Sequence, residues 1–205
     1  MSTHSPDSIK AIIFDLGNVI VLFDHFTICR NLSAYSPYSP EEIYNVLFTS
    51  GLESRFDTGE ISPEDFFKKA SGALQLTIDI ELFKKTWNDI FSLNPGIDNL
   101  IVELKKKYLL LCLSNTNMWQ FEYCRKHFTV LDYFDSFILS FQEGVRKPDW
   151  KIYEKALQEA DAVPEECIYV DDVKEFVQAA EAKGMKAIRF ISTEDLTSVL
   201  RGYLS

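Results

Sequence analysis

Short runs of apolar residues recur along the chain, and their length and composition are those of buried β-strands. They span residues 11–14, 109–113, 137–139, 167–170 and 187–191. A continuous apolar run is typical of a strand that is covered on both faces. These runs therefore predict the interior strands of a sheet.

Segments with helical character separate the later runs. Leu100 and Leu104 lie on one face of a predicted helix, residues 150–160 form a second, and residues 176–183 form a third that ends at Gly184. Strands that alternate with helices imply a parallel sheet with helices on both faces. We therefore expect an α/β fold with a Rossmann-like, doubly wound core.

A long helical stretch interrupts this alternation at residues 24–93. Ser62 and Asp79 are suited to cap the first turns of two helices within it. The stretch is much longer than a normal connection between neighbouring strands. It predicts an inserted helical-bundle cap, with residues 1–23 and 94–205 forming the catalytic core.

Composition and charge narrow the possible classes of partner. The chain has 205 residues, 46% of them hydrophobic, which is enough for a sizeable core. Its formal net charge is −10, whereas sequence-independent binding to nucleic acid needs a basic surface. We expect no nucleic-acid partner.

Nothing in the sequence predicts export or membrane insertion. Residues 1–8 are polar and do not resemble a signal peptide, and the apolar run at 109–113 is too short to cross a bilayer. Cys112 and Cys167 lie inside predicted strands, where a thiol behaves as a small hydrophobic group. We expect reduced cysteines, no membrane association and a cytoplasmic location.

Polar residues follow three of the predicted strands directly. They are Asp15, Ser114 and the pair Asp171-Asp172. A single polar residue after a strand is usually part of a turn or a helix cap. In open α/β sheets, however, ligands bind beyond the carboxyl ends of the strands. The combination predicts that these side chains converge on one site.

Their chemistry fits phosphoryl transfer, which needs a nucleophile, positive charge and hydrogen-bond donors around the phosphate. Asp15 is the candidate nucleophile, Ser114 and Asn115 are candidate donors, and Lys147 supplies a fixed positive charge. Asp15 with Asp171 and Asp172 concentrates negative charge, which favours a bound cation. Hard oxygen ligands favour Mg²⁺.

Four segments resemble, in order and spacing, the motifs of the haloacid-dehalogenase superfamily. They are residues 14–20 (FDLGNVI), 113–116 (LSNT), 144–148 (GVRKP) and 169–172 (YVDD). The resemblance covers nearly the whole chain, and the insert after the first motif matches the subclass with a helical cap. The first motif is similar to that of a bacterial branch that includes α-glucose-1-phosphate phosphatase.

The resemblance implies a Mg²⁺ site and a covalent intermediate. Asp15 is expected to attack phosphorus and form an aspartyl-phosphate. The Asp15 carboxylate, the backbone carbonyl of Gly17 and Asp172 are expected to hold Mg²⁺. Asp171 either orients a water molecule on the metal or is a second ligand.

The resemblance also implies the groups that bind the phosphoryl oxygens. These are Ser114 and the backbone N–H groups near Asn115, Gly17 and Asn18. Lys147 is expected to neutralise charge on Asp15 and on the phosphate. The expected substrate is a small phosphorylated metabolite, such as a sugar phosphate.

Two positions depart from the usual family pattern. Gly17 stands where many relatives carry a second Asp that protonates the leaving group, so the general acid stays unassigned. Phe176 stands where relatives place Asn or Asp, and it cannot hydrogen-bond to Lys147. Two alternatives to the phosphatase therefore stay open: a carbon–halogen hydrolase with the same nucleophile, and a family member that binds ligands without efficient turnover.

Three residues of the predicted cap have both a functional and a structural interpretation. Arg55 either contacts a substrate oxygen or forms a surface ion pair. Trp87 either stacks on a sugar ring or packs between helices. His25, close to the first strand, is a candidate proton donor.

Overall fold

The centre of the protein is a parallel sheet, seen in a computed structural model that describes residues 9–204. The strands, numbered along the chain, are β1 (Ala11–Phe14), β2 (Val21–Leu22), β3 (Ser92–Leu93), β4 (Leu109–Ser114), β5 (Ser136–Leu139), β6 (Cys167–Asp171) and β7 (Lys186–Arg189). Five of them form the sheet in the order β5-β4-β1-β6-β7, all parallel. The short strands β2 and β3 pair antiparallel beside it.

Helices cover both faces of the sheet and fill the insert between β2 and β3. In the described residues they are α1 (His25–Ser33), α2 (Pro40–Tyr44), α3 (Leu52–Asp57), α4 (Pro63–Leu74), α5 (Ile80–Asn88), α6 (Ile97–Lys105), α7 (Met118–His127), α8 (Ser140–Glu143), α9 (Trp150–Ala160), α10 (Lys174–Glu181) and α11 (Thr193–Tyr203).

Side chains of β1 alternate between two apolar clusters, as the period of two in a strand requires. Ile12 and Phe14 pack with residues of α6 and α11, whereas Ala11 and Ile13 pack with residues of α9 and α10. All four are fully buried. The α/β class with a doubly wound parallel sheet, predicted from the sequence, is confirmed.

The helices of the insert have an apolar cluster of their own. Phe66, Phe83 and Trp87 are fully buried in it, and Trp119 of α7 joins them from the core. The ring of Trp87 lies 4.8 Å from that of Phe66, which matches the packing interpretation of this residue. The division at residues 24–93 stays a prediction.

Two helices of the insert begin where their capping residues predict. The side chains of Ser62 and Asp79 accept hydrogen bonds from backbone N–H groups in the first turns of α4 and α5, as their residue types indicate. The helix that begins after Asp79 ends at Asn88, and the chain then enters β3.

Two general expectations concern burial and membranes. No helix in residues 9–204 is long and apolar enough to cross a bilayer. All four cysteines are free and buried, as expected for reduced thiols. His4 and the predicted polar start at residues 1–8 lie outside the described residues.

Candidate active site

The register of the sheet brings the polar strand ends together. Phe14 of β1 pairs with Cys112 of β4 on one side and with Val170 of β6 on the other. The residues that follow these positions therefore leave the sheet at the same edge. A cavity of about 210 Å³ opens there, lined by core residues and by residues of the insert.

Lys147 is the positive centre of the site. Its Nζ atom lies 2.8 Å from Oδ1 of Asp15 and 2.7 Å from Oδ2 of Asp171, and the side chain is 1% exposed. Burial opposes the charged form of a lysine, but the carboxylates of Asp15 and Asp171 outweigh it and raise the pKa of Lys147 above its usual range. Lys147 is therefore a fixed cation.

Asn115 holds the backbone of Lys147 in place. The Lys147 N–H donates to Oδ1 of Asn115 at 2.8 Å, and Nδ2 of Asn115 donates to the Lys147 carbonyl at 3.1 Å. The sequence offered this side chain as a candidate donor to phosphate. In the structure both of its polar atoms contact the backbone of Lys147.

Two aromatic rings complete the surroundings of the ammonium group. Nζ of Lys147 lies 5.1 Å from the centroid of Phe176 and 5.9 Å from that of Tyr169. The Tyr169 hydroxyl donates to Oδ2 of Asp171, whose Oδ1 accepts from the Val173 N–H at 2.8 Å. The Asp171 carboxylate is thus engaged by three protein donors.

Three carboxylates meet in this pocket. Oxygen atoms of Asp15, Asp171 and Asp172 all lie within 4.8 Å of one another. The pKa of Asp15 is raised to about 7, because burial and the Asp171 carboxylate raise it by more than the Lys147 ammonium lowers it. Burial and Asp171 likewise raise the pKa of Asp172. Such a cluster of oxygen donors suits a hard divalent cation, which would relieve the repulsion.

Two backbone N–H groups of the loop after β1 form hydrogen bonds within the loop and its neighbouring residues. The Leu16 N–H donates to Oδ1 of Asp15 at 2.7 Å, and the Asn18 N–H donates to the Val21 carbonyl at 2.7 Å. Asn18 adopts a left-handed conformation with φ 54°. Its N–H was predicted to bind phosphate, but in the structure it is used to close the loop.

Ser114 ends β4 at the wall of the cavity, as predicted. It is 3% exposed, and Gly17 and Asn115 line the same cavity. Behind it, the Thr116 N–H donates to Oγ of Ser140 at 2.9 Å, which fixes the loop after the strand. The sequence therefore located correctly which segments meet here.

The insert contributes a second group of polar residues, of which the sequence analysis singled out only His25. Nε2 of His25 lies 3.6 Å from Oε1 of Glu53. Burial lowers the pKa of His25 to about 4. Burial and then the Asp57 carboxylate raise the pKa of Glu53 to about 8. Both groups are therefore neutral at pH 7, and their contact is not an ion pair.

Further polar contacts join the core to the insert. Nδ2 of Asn117 donates to Oδ1 of Asp57 at 3.0 Å, and Arg146 donates to Oγ of Ser54 at 2.6 Å. Gln120 lines the cavity, and its buried Nε2 has no hydrogen-bond partner within residues 9–204. Glu53 and Asp57 are four residues apart on α3, a spacing that places carboxylates on one helix face. That spacing was the available signal for them.

Arg55, by contrast, does not line the cavity. Its Nε atom pairs with Oε1 of Glu60 at 2.7 Å, and the two side chains are 45% and 57% exposed. The pair lies at the surface, as the structural interpretation of Arg55 predicted.

Comparison with known proteins places these observations in a family. A model of haloacid dehalogenase-like hydrolases matches residues 9–184. A curated D-ribitol-5-phosphate phosphatase from Bacteroides thetaiotaomicron is 25% identical over 191 residues, which are 88% of this chain and 91% of that protein. Sesquiterpene phosphatase astK from Aspergillus oryzae is 28% identical over 178 residues, 86% of this chain and 87% of the relative.

The fold recurs in solved structures. A HAD family enzyme of Bacteroides thetaiotaomicron, crystallised with magnesium and inorganic phosphate, superposes with a TM-score of 0.84 at 23% identity. The match covers 95% of this chain and 100% of the other. This likeness concerns the arrangement of the strands and helices.

Proposed function

This chain belongs to the haloacid dehalogenase-like hydrolase family, and from that premise we propose that it is a magnesium-dependent phosphatase of small phosphomonoesters. The reaction would pass through an aspartyl-phosphate, a mixed anhydride formed on Asp15. One observation carries the proposal: a buried Lys147 is paired to Asp15 in a pocket where two further carboxylates approach the same point.

The residues present fit a magnesium ion. The carboxylates of Asp15 and Asp172 line the cavity, and the Gly17 carbonyl belongs to the same loop as Asp15. When bound, Mg²⁺ supplies positive charge for the phosphoryl oxygens and favours the ionised form of Asp15. Because Asp171 already accepts from Lys147, Tyr169 and Val173, we assign it mainly to holding Lys147.

Asp15 is the nucleophile in this proposal. Its carboxylate attacks phosphorus, and the bond from phosphorus to the leaving oxygen breaks in line with the attack. The Lys147 ammonium, 2.8 Å from Asp15, keeps a positive charge beside both the nucleophile and the transferring group. Ser114 and the backbone N–H groups near Gly17 and Asn115 are the candidate donors to the phosphoryl oxygens.

The carboxylate cluster disfavours the carbon–halogen alternative. Asp15 must be ionised to attack, yet burial and the Asp171 carboxylate raise its pKa to about 7 despite the nearby Lys147. Haloalkanoic acids also carry no phosphate dianion that would need the positive charge of a metal. Because Asp171 and Asp172 lie beside Asp15, this site is better suited to a reaction in which a bound cation offsets their negative charge.

Phe176 and Gly17 are the reason for the second alternative, in which the protein is a family member that binds ligands without turnover. Phe176 does not leave Lys147 unsupported, because its ring lies 5.1 Å from Nζ, within the range of a cation–π interaction. The lysine also keeps both carboxylate partners. These contacts favour an active enzyme over a degenerate one.

The cavity indicates a small, polar leaving group. Its volume of about 210 Å³ leaves limited space beside a phosphate, and Glu53, Gln120 and Arg146 line it together with aromatic residues such as Phe23 and Phe91. Nε2 of Gln120, which has no partner in the part of the chain that the structure describes, is an available donor for a substrate hydroxyl. One relative is named for ribitol 5-phosphate and another for a sesquiterpene substrate. We propose a polyol or sugar phosphate for this chain.

Phosphate release from a panel of substrates tests the proposal. The panel contains ribitol 5-phosphate, several hexose phosphates, p-nitrophenyl phosphate and 2-chloropropionate, each measured with and without Mg²⁺. We expect phosphate release only with Mg²⁺ and no chloride release. Chloride release without metal would support the dehalogenase, and no release from any compound would support the binding protein.

A further inference from the structure

The site has no acid two residues after the nucleophile Asp15, where Gly17 stands. The space that a side chain would occupy at Gly17 is already filled by Phe23. A Cβ atom built on Gly17 would lie 2.5 Å from Cε1 of Phe23. The Phe23 ring packs in turn against His25, with centroids 4.8 Å apart. A proton donor for the leaving group must therefore come from elsewhere in the cavity. This inference rests on the proposed phosphatase function.

The direction of the reaction indicates where that donor lies. Attacking and leaving oxygens are roughly in line in phosphoryl transfer, so the leaving oxygen points away from Asp15. Asp15 belongs to the sheet edge, and the wall contributed by the insert carries His25, Glu53 and Asp57. A donor on that wall faces the leaving group.

Glu53 of α3 is the free acid on this wall. Its side chain is 13% exposed and lines the cavity, and its carboxyl makes no hydrogen bond to other residues in the range 9–204. The nearest polar atom is Nε2 of His25 at 3.6 Å, beyond hydrogen-bond length. The carboxyl group is thus available to a substrate.

The neighbours of Glu53 keep it protonated at neutral pH. Burial and the Asp57 carboxylate on the same helix raise the pKa of Glu53 to about 8, and Arg146 from the core partly opposes them. His25 of α1, with its pKa lowered to about 4, is neutral and adds no positive charge. A carboxylic acid with a pKa near the working pH is well matched to proton transfer.

The other titratable groups on this wall are less suitable. Asp57 is 3% exposed and accepts from Nδ2 of Asn117 at 3.0 Å, so it is tied to the junction with α7. His25 holds no extra proton at pH 7, which argues against the role considered for it from the sequence.

We propose that Glu53 is the general acid and base of this reaction. In the first step Asp15 bonds to phosphorus, the bond to the leaving oxygen breaks, and the Glu53 proton moves to that oxygen, which departs as an alcohol. In the second step a water oxygen attacks phosphorus, the bond to Asp15 breaks, and ionised Glu53 takes the water proton. One ester and one water become one alcohol and one phosphate, and Glu53 is restored.

The test compares Glu53→Gln with the wild type on two substrates at saturating Mg²⁺. Ribitol 5-phosphate has an alkoxide leaving group that needs a proton, whereas p-nitrophenolate leaves without one. The variant should lose roughly 10²-fold or more in turnover of ribitol 5-phosphate. With p-nitrophenyl phosphate it should retain a fast burst of p-nitrophenolate, because only the second step then needs Glu53.

Mass spectrometry supplies a readout other than turnover. Phosphorylated Asp15 should accumulate in Glu53→Gln treated with p-nitrophenyl phosphate and should not accumulate with ribitol 5-phosphate.

The pH profile of turnover is a further readout. In the wild type, turnover of ribitol 5-phosphate should fall above about pH 8, and the profile of the variant should lack this decrease. Glu60→Gln is the matched control, an exposed glutamate in the segment after α3.

Several outcomes would overturn the assignment. Equal slowing of the burst and of ribitol 5-phosphate turnover would show that Glu53 acts on binding or folding instead. Unchanged turnover in Glu53→Gln would show that it is not needed. A wild-type protein that releases phosphate from neither compound would overturn the proposed function itself and this inference with it.

Discussion

The ammonium group of Lys147 lies 5.1 Å from the centroid of the Phe176 ring while it is paired with both Asp15 and Asp171. The ring cannot accept a conventional hydrogen bond, but its face carries partial negative charge that attracts a cation. Phe176 therefore supports the lysine through the face of its ring.

Replacing this ring separates its electronic effect from its bulk. Phe176→Leu keeps an apolar side chain but removes the π face, and kcat/KM for phosphate release should fall roughly 2- to 30-fold, equivalent to about 0.5–2 kcal/mol. Phe176→Tyr retains the face and should stay close to the wild type. Equal activity of the Leu and wild-type proteins would show that the ring only fills space.

Asp15→Asn removes the nucleophile with little change in shape. Activity should be abolished, since an amide does not form the covalent intermediate. The protein should remain folded, because burial already disfavours the charge of Asp15 and Lys147 keeps its contact with Asp171. Phosphate release and circular dichroism at pH 7 measure the two expectations. Retained activity would remove Asp15 from its proposed role.

Magnesium should stabilise the folded protein through Asp172. A ligand at 100 times its Kd adds about 2.7 kcal/mol to the free energy of unfolding. Thermal melts with increasing Mg²⁺ should show a rising midpoint in the wild type and none in Asp172→Asn. Tetrafluoroberyllate, a phosphate mimic, should bind only with Mg²⁺ present.

Glu154→Gln is the control for this series, because Glu154 is an exposed acid on α9. Its midpoint should follow that of the wild type at every Mg²⁺ concentration. A Mg²⁺ response that survives in Asp172→Asn would place the ion elsewhere.

His25 should make the folded protein sensitive to acid. Burial lowers its pKa from 6.5 to about 4 in the folded protein, so the unfolded chain takes up the proton first as the pH falls. The stability contributed by neutral His25 is complete above pH 6.5 and is lost progressively as the pH falls towards 4. The raised pKa of Glu53 acts in the opposite direction, because the unfolded chain releases that proton above about pH 4.5 whereas the folded protein holds it up to about pH 8. A comparison with a His25 variant cancels this contribution.

Comparing His25→Gln with the wild type isolates this contribution. The difference in unfolding free energy between the two proteins, measured with urea from pH 7 to pH 4, should shrink as the pH decreases. The lost stacking of the imidazole on Phe48, 4.4 Å away, adds a constant offset. A difference that is independent of pH would show that His25 titrates normally in the folded protein.

The sequence predicted the parts of the site that depend on strand ends. Asp15, Ser114 and Asp171 follow apolar runs, and parallel pairing then forces them to one edge of the sheet. Lys147 was identified by its motif, although its pairing with Asp171 depends on tertiary packing. Roles that rest on a side chain's own contacts were harder to foresee.

Asn115 and Glu53 illustrate the difference. Asn115 was a candidate donor to phosphate, yet its amide binds the Lys147 backbone, which is distant in sequence. Glu53 lies in a helical insert, where its spacing from Asp57 puts two acids on one helix face without indicating that this face covers the sheet. Burial created by that placement gives it an unusual pKa, and no local pattern encodes it.

The final prediction concerns Gly17, where many relatives carry an acid. Its Cβ would lie 2.5 Å from Cε1 of Phe23, and the Phe23 ring is confined by His25 at 4.8 Å and by Phe91 at 5.7 Å. Gly17→Asp should therefore lower the free energy of unfolding by roughly 1–3 kcal/mol and reduce turnover, because a packed ring must move.

Adding Phe23→Ala to Gly17→Asp opens the space that the carboxyl group needs. The double variant should be destabilised by less than the sum of the two single variants, since the two side chains compete for one volume. Urea denaturation of the four proteins in this cycle measures the coupling. If Gly17→Asp alone were as stable as the wild type, Phe23 would not be the reason that this chain obtains its acid from another element.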